Sequence, residues 1–170
     1  EVIINDEKDM ARIKSPDPFK TARMPWVLEA LQICHELTGY KPFVHYCSPI
    51  NLAAQVMQFE NLIMAMTERP KFVHKLMDWL VEEVLAPYIN ASFKVLGGHN
   101  IANGKDAVGS LPFITEEILE EFSVPYLLKL RELCGGHDGI RSDNWWGDSF
   151  AADMDAYWDT KLKITPQYLK

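Results

Sequence analysis

Thr115-Glu116-Glu117-Ile118-Leu119-Glu120-Glu121-Phe122 is the stretch on which the fold turns. A threonine ahead of two acids, followed by apolar residues three and four apart, marks a helix start. Thr115 is its N-cap, and the acids face the positive end of the helix dipole. Pro125 falls where the first turn of a second helix tolerates it, and Gly135-Gly136 ends that helix after Leu133. Upstream, residues 99–102 lead into a strand that ends near Asp106; downstream, residues 140–146 read as another strand.

Working outward, the alternation continues. Residues 6–13 form a short capped helix that Ser15-Pro16-Asp17-Pro18 breaks. In 23–37, Trp26, Val27, Ala30, Ile33, Cys34 and Leu37 repeat at helical spacing, and Gly39 ends the run. Residues 42–46 make a short buried strand, 51–66 one or two helices, and Pro70 opens a long helix to about Val95 that Pro87 kinks. Its apolar stripe is Phe72, Val73, Leu76, Leu80, Val84 and Leu85. At the end, 151–162 is a helix and Ile164 begins a strand. Short apolar strands separated by helices indicate an α/β protein with a parallel sheet, and residues 42–46, 99–105 and 140–146 are expected to be neighbouring parallel strands.

Composition narrows the function. The chain has 170 residues, 48% of them hydrophobic, and a net charge of −7, so it is a globular domain rather than a disordered or fibrous one. No cluster of Lys and Arg offers a nucleic-acid face. No apolar run of about 18 residues spans a membrane, and no signal peptide is visible. Three widely spaced cysteines, Cys34, Cys47 and Cys134, make no disulfide framework and read as buried reduced thiols of a cytoplasmic protein. Met57, Met64, Met66 and Met77 read as helix-face packing. The chain opens on Glu1 with Val2-Ile3-Ile4 already strand-like and stops after Tyr168-Leu169-Lys170, as a fragment would.

Four segments resemble the uroporphyrinogen decarboxylase superfamily, in its order, between about residues 22 and 148. Ser48-Pro49-Ile50-Asn51-Leu52-Ala53 resembles its Gly-Pro-Phe-Thr-Leu-Ala segment, and Arg69-Pro70-Lys71-Phe72-Val73 its Pro-Glu-x-Val helix start. Residues 98–106 are similar to its Gly-Ala-Asp-x-Ile strand ending in Asp. Ile114-Thr115-Glu116-Glu117-Ile118-Leu119-Glu120-Glu121-Phe122 with Pro125-Tyr126 resembles its Ile-Ser-Pro-Glu-x-Phe-x-x-Phe-x-x-Pro-Tyr. The resemblance implies a (β/α)8 TIM barrel with its site at the C-terminal strand ends. Such a barrel usually takes about 250 residues, so this chain supplies only its central portion, as a single partial domain.

Two chemistries are implied by the resemblance. The decarboxylases use no cofactor; an Asp holds pyrrole NH groups, and a Tyr and a Ser stand near the acetate. Here the Tyr position is Gln55 and the Ser position is Ala107. The cobalamin-linked methyltransferases act with a corrinoid protein and typically use zinc to activate a thiol. Their His-x-Cys-Gly motif falls on Asn144-Trp145-Trp146-Gly147, so zinc is a possible cofactor whose ligands are not evident; Asp106 and Cys134 with a ligand beyond residue 170 would be one set. Gly147 and Asp148 match the family's residues at the end of that motif and just after it. The resemblance therefore implies methyl transfer between a small methyl donor and a corrinoid protein. The alternatives are a uroporphyrinogen decarboxylase and a non-catalytic tetrapyrrole-binding relative.

Candidate catalytic residues are Asp106, His45 and Asn144, and candidate substrate-binding residues are Trp146, Ser142, Asp148 and Gln55. Asp106 ends a strand, where its carboxylate can bind a cation or a pyrrole NH or can cap the following loop. His45 is the histidine at a strand end. Alternation sends Ser142, Asn144 and Trp146 to one face, expected to be the barrel mouth, and Arg141 and Asp143 to the other. Parallel strands would gather Asp106, Asn144, Trp146 and His45 into one pocket. Cys134 and His137 in Cys-Gly-Gly-His are too isolated for a metal pair, and Cys134 lies at the opposite side of the barrel. With only His45 and Asp106 at the mouth, the segment is expected to bind no zinc tightly.

Overall fold

A computed structural model describes residues 3–109, 111, 114–135, 139–143 and 151–164. Three strands, β1 (Val44–Cys47), β2 (Ala102–Lys105) and β3 (Ile140–Asp143), form a parallel sheet in the order β1-β2-β3. Val44 is level with Ala102 and Ala102 with Ile140, which confirms the expected neighbouring parallel strands over these residues. The crossovers are helical, as parallel pairing requires.

Helices α1 (Glu7–Arg12) and α2 (Met24–Thr38) precede β1; α3 (Pro49–Met57), α4 (Phe59–Glu68), α5 (Pro70–Trp79) and α6 (Ala86–Val95) lie between β1 and β2. Helices α7 (Glu116–Phe122) and α8 (Val124–Leu133) lie between β2 and β3, and α9 (Met154–Ile164) comes after β3. The caps match local chemistry. Asp6 accepts from the Lys8 and Asp9 amides, and Thr115 from the Ile118 amide. Gly39, at φ 68°, closes α2 in the left-handed conformation that suits glycine. Gln58 joins α3 to α4 at the same positive φ without that freedom.

Val44, Tyr46, Ala102 and Ile140 belong to one core with Ile50, Leu76, Leu80, Ile89, Phe122 and Leu130 of the helices. The helices therefore cover one face of the sheet. In a (β/α)8 barrel that face is the outer one, and the opposite face looks into the barrel.

Several expectations are corrected. Between α5 and α6 the chain forms a π-helix, Leu80–Leu85, and the Ala86 amide bonds the Val81 carbonyl five residues back. The wider turn sits just ahead of Pro87, whose ring would crowd an α-helical carbonyl four residues earlier. Ile164 ends α9 instead of starting a strand, and Ile3 and Ile4 lie outside any strand. Met64 is exposed, unlike the buried Met57, Met66 and Met77. Only Cys134 is a buried thiol, whereas Cys34 is exposed and Cys47 half-buried. The apolar stripe of α2 is also uncovered: Trp26 is 70% and Leu37 81% exposed, and only Leu28 of that helix is buried.

Candidate functional site

The strand ends carry two arrangements of opposite character. Ser48 follows β1 and Asp106 follows β2, and both are buried. Among the described residues, the Asp106 carboxylate accepts hydrogen bonds on Oδ1 from the Ser48 hydroxyl at 3.0 Å and the Gly109 amide at 2.9 Å, and on Oδ2 from the Ser123 hydroxyl at 3.2 Å. It thereby ties β1, the loop after β2 and the junction of α7 with α8. A Cβ at Gly109 would stand 2.5 Å from Asp106 Oδ2, so the loop closes on the carboxylate without room for a side chain. Burial pushes the Asp106 carboxyl above its usual range, against the pull of these hydrogen bonds. Asn51 reinforces the closure, donating to the Lys105 carbonyl at 2.7 Å and accepting from the Val108 amide at 2.7 Å.

The second arrangement is the open sheet face. Residues level across a parallel sheet share a face, so His45, Asn103 and Arg141 form one rung and Cys47 and Lys105 lie on the next. An open cleft of about 460 Å3 lies at this end, lined by His45, Tyr46, Cys47, Asn51 and Lys105. Gln55 of α3 donates to the Cys47 sulfur at 3.3 Å and so borders the same face. Partial burial, with the nearby Asp106 carboxylate, raises the Cys47 thiol above its usual pKa, while the Gln55 bond opposes the rise. Cys47 is thus a thiol at neutral pH, without the activated character of a catalytic thiolate. Behind the rung, the Tyr88 hydroxyl donates to the His45 carbonyl at 3.4 Å.

The model of the uroporphyrinogen decarboxylase (URO-D) family matches residues 1–141. The chain belongs to the URO-D family. Its fold is that of a methyltransferase structure from Methanosarcina mazei, with a TM-score of 0.68 at 18% identity over 79% of this chain. The chain spans 40% of that structure's length, so it is part of a URO-D-type barrel. No curated protein sequence matches it significantly.

Within the URO-D frame, the sequence-selected residues that lie among the described ones have definite places. His45 and Gln55 border the open face. Asp106 is at the same end of the sheet but only 1% exposed, with both carboxylate oxygens bonded inward, so it does not join His45 in the cleft. Ser142 is a correction. It shares the buried face of Gly104 and Tyr46 and is 1% exposed, because Ile140, level with Ala102, enters the core and fixes the phase of β3. Arg141 occupies the open face instead. Asn144, Trp146 and Asp148 lie outside the described residues, as does His137.

Sequence reasoning missed Lys105, Arg141 and Cys47. The register would have found them, since each is one or two residues from a core-facing position. Among the described residues, no group of three His, Cys, Asp or Glu side chains fits a metal ion. His45 and Cys47 share a face, but the Asp106 carboxylate at the neighbouring strand end is turned inward. These residues therefore do not fit a zinc site. No helix among the described residues is long and apolar enough to cross a membrane.

Proposed function

We propose that the chain is the central part of a URO-D-family enzyme that moves a methyl group between a small methyl donor and a corrinoid protein. The observation that carries this reading is the inward commitment of Asp106. A decarboxylase of the cofactor-free type needs a carboxylate free to hold pyrrole NH groups, with hydroxyls beside the acetate. Here the strand-end carboxylate is engaged by Ser48, Ser123 and Gly109. By the family resemblance, Ala107 and Gln55 take the positions of those hydroxyls. The open face instead offers an imidazole, a neutral thiol, an amide and long cations, groups that bind and orient a small molecule. The likeness to a structure described as a methyltransferase agrees with this reading.

The test is a paired assay of the full-length enzyme. One arm adds a corrinoid protein and candidate methyl donors and follows the corrinoid's visible spectrum. The other adds uroporphyrinogen and analyses the carboxyl content of the products. A donor-dependent spectral change without decarboxylation supports the proposal. Loss of acetate carboxyls overturns it in favour of a decarboxylase.

A further inference from the structure

Lys105 and Arg141 stand on the open face of adjacent strands, one strand over and two residues along from each other. With strands about 4.8 Å apart and a rise of about 3.3 Å per residue, their Cα atoms are roughly 8 Å apart. Both side chains are long enough to meet at a common point above the sheet. Among the described residues neither makes an ion pair. Asp106, the acid next to Lys105, directs its carboxylate into the Ser48–Ser123–Gly109 cluster.

Two cations that can converge there repel each other, and an anion placed between them relieves that repulsion. The guanidinium fork matches a planar carboxylate, and the ammonium adds a point charge beside it. Lys105 also lines the cleft with His45 and Asn51, so a bound group has room to extend along the strand ends.

We infer that the open face binds a small organic anion through Lys105 and Arg141, so that the methyl donor handled there carries a carboxylate. The identity of the anion as a methyl donor rests on the proposed function; the anion site itself does not.

The test titrates the full-length enzyme with succinate and, in parallel, with its neutral isostere succinamide, reading backbone amide shifts and calorimetric heats. Succinate should bind and succinamide should bind at least tenfold more weakly. Lys105→Met and Arg141→Met should each weaken succinate at least tenfold, and Lys71→Met, on the exposed side of α5, should leave it unchanged. Equal binding of the two probes, or succinate binding unaltered in both Lys105→Met and Arg141→Met, would overturn the site. Variants that lose their amide dispersion are replaced by Lys105→Gln and Arg141→Gln, judged by the same ratio. If succinate binds as expected while the full-length enzyme transfers no methyl group from any carboxylate-bearing donor, the anion site stands and the methyl-transfer reading fails.

Discussion

Replacing Asp106 is the sharpest test of how this barrel segment is held together. Asp106→Ala removes the acceptor for three buried donors: the Ser48 hydroxyl, the Ser123 hydroxyl and the Gly109 amide. A buried donor left without a partner costs about 1–3 kcal/mol. The two hydroxyls can rotate toward local carbonyls and recover part of this, whereas the amide cannot. We therefore expect a loss of about 3–5 kcal/mol, a large fraction of the roughly 5–15 kcal/mol that stabilises a domain. For a chain of this size the melting temperature should fall by roughly 6–20 °C.

Asp106→Asn separates hydrogen bonding from charge. Its amide oxygen can accept from Ser48 and Gly109, which share Oδ1, while its NH2 donates to the Ser123 oxygen. At neutral pH it should therefore cost about 1 kcal/mol or less. The pH dependence has a definite sign. The folded-state pKa of Asp106 is raised above the ordinary value of 3.8, so ionisation opposes folding. The favourable contribution of the neutral acid is complete below pH 3.8 and is lost as pH rises through the raised pKa. The stability of Asp106→Asn relative to the parent should accordingly grow with pH above about 4. Urea denaturation followed by circular dichroism between about pH 4 and 8 gives both quantities. An Asp106→Ala variant within about 1 kcal/mol of the parent, or an Asp106→Asn difference that shrinks with rising pH, would refute the reasoning.

Other outcomes are equally specific. Gly104→Ala places a Cβ against the Tyr46 ring and should cost about 1–3 kcal/mol in the same denaturation assay. Tyr126→Phe removes the hydroxyl that contacts His74 Nδ1 at 2.7 Å and the His74 carbonyl at 3.3 Å, joining α5 to α8; a loss of about 1–2 kcal/mol is expected. Thiol labelling mapped by mass spectrometry at about pH 8 should modify Cys34 first and Cys47 more slowly, because the Cys47 thiol is raised. Cys134, pushed by burial to about 12, should react last.

What was legible in the sequence was local. Thr115, Gly39 and Pro70 announce their helices by capping and backbone chemistry, and the structure puts each boundary within a residue or two. The parallel strands follow from that alternation. Other features depend on contacts remote in sequence. Asp106 meets Ser48 and Ser123 across separations of 58 and 17 residues, so nothing near it distinguishes a carboxylate aimed at substrate from one aimed inward. The α2 stripe shows the same limit: periodicity locates Trp26, Ile33 and Leu37 on one side of a helix but cannot say what covers them.

The phase of β3 shows why a single choice carries so much. A strand has period two, so one decision assigns every side chain to the helices or to the barrel interior. Motif alignment chose the parity of Ser142 and placed Arg141 outside. The apolar pattern, read alone, chooses the other parity, since Ile140 is the residue that must be buried. The structure obeys the apolar pattern: Ile140 is 1% exposed and level with Ala102. The core therefore decides which polar residues face the interior, and Arg141 faces it because Ile140 does not. The same argument applied to β1 and β2 starts from Val44 and Ala102 and yields His45, Cys47, Asn103 and Lys105. In a barrel wall, the residues available for binding are those left over once the helices have taken their share.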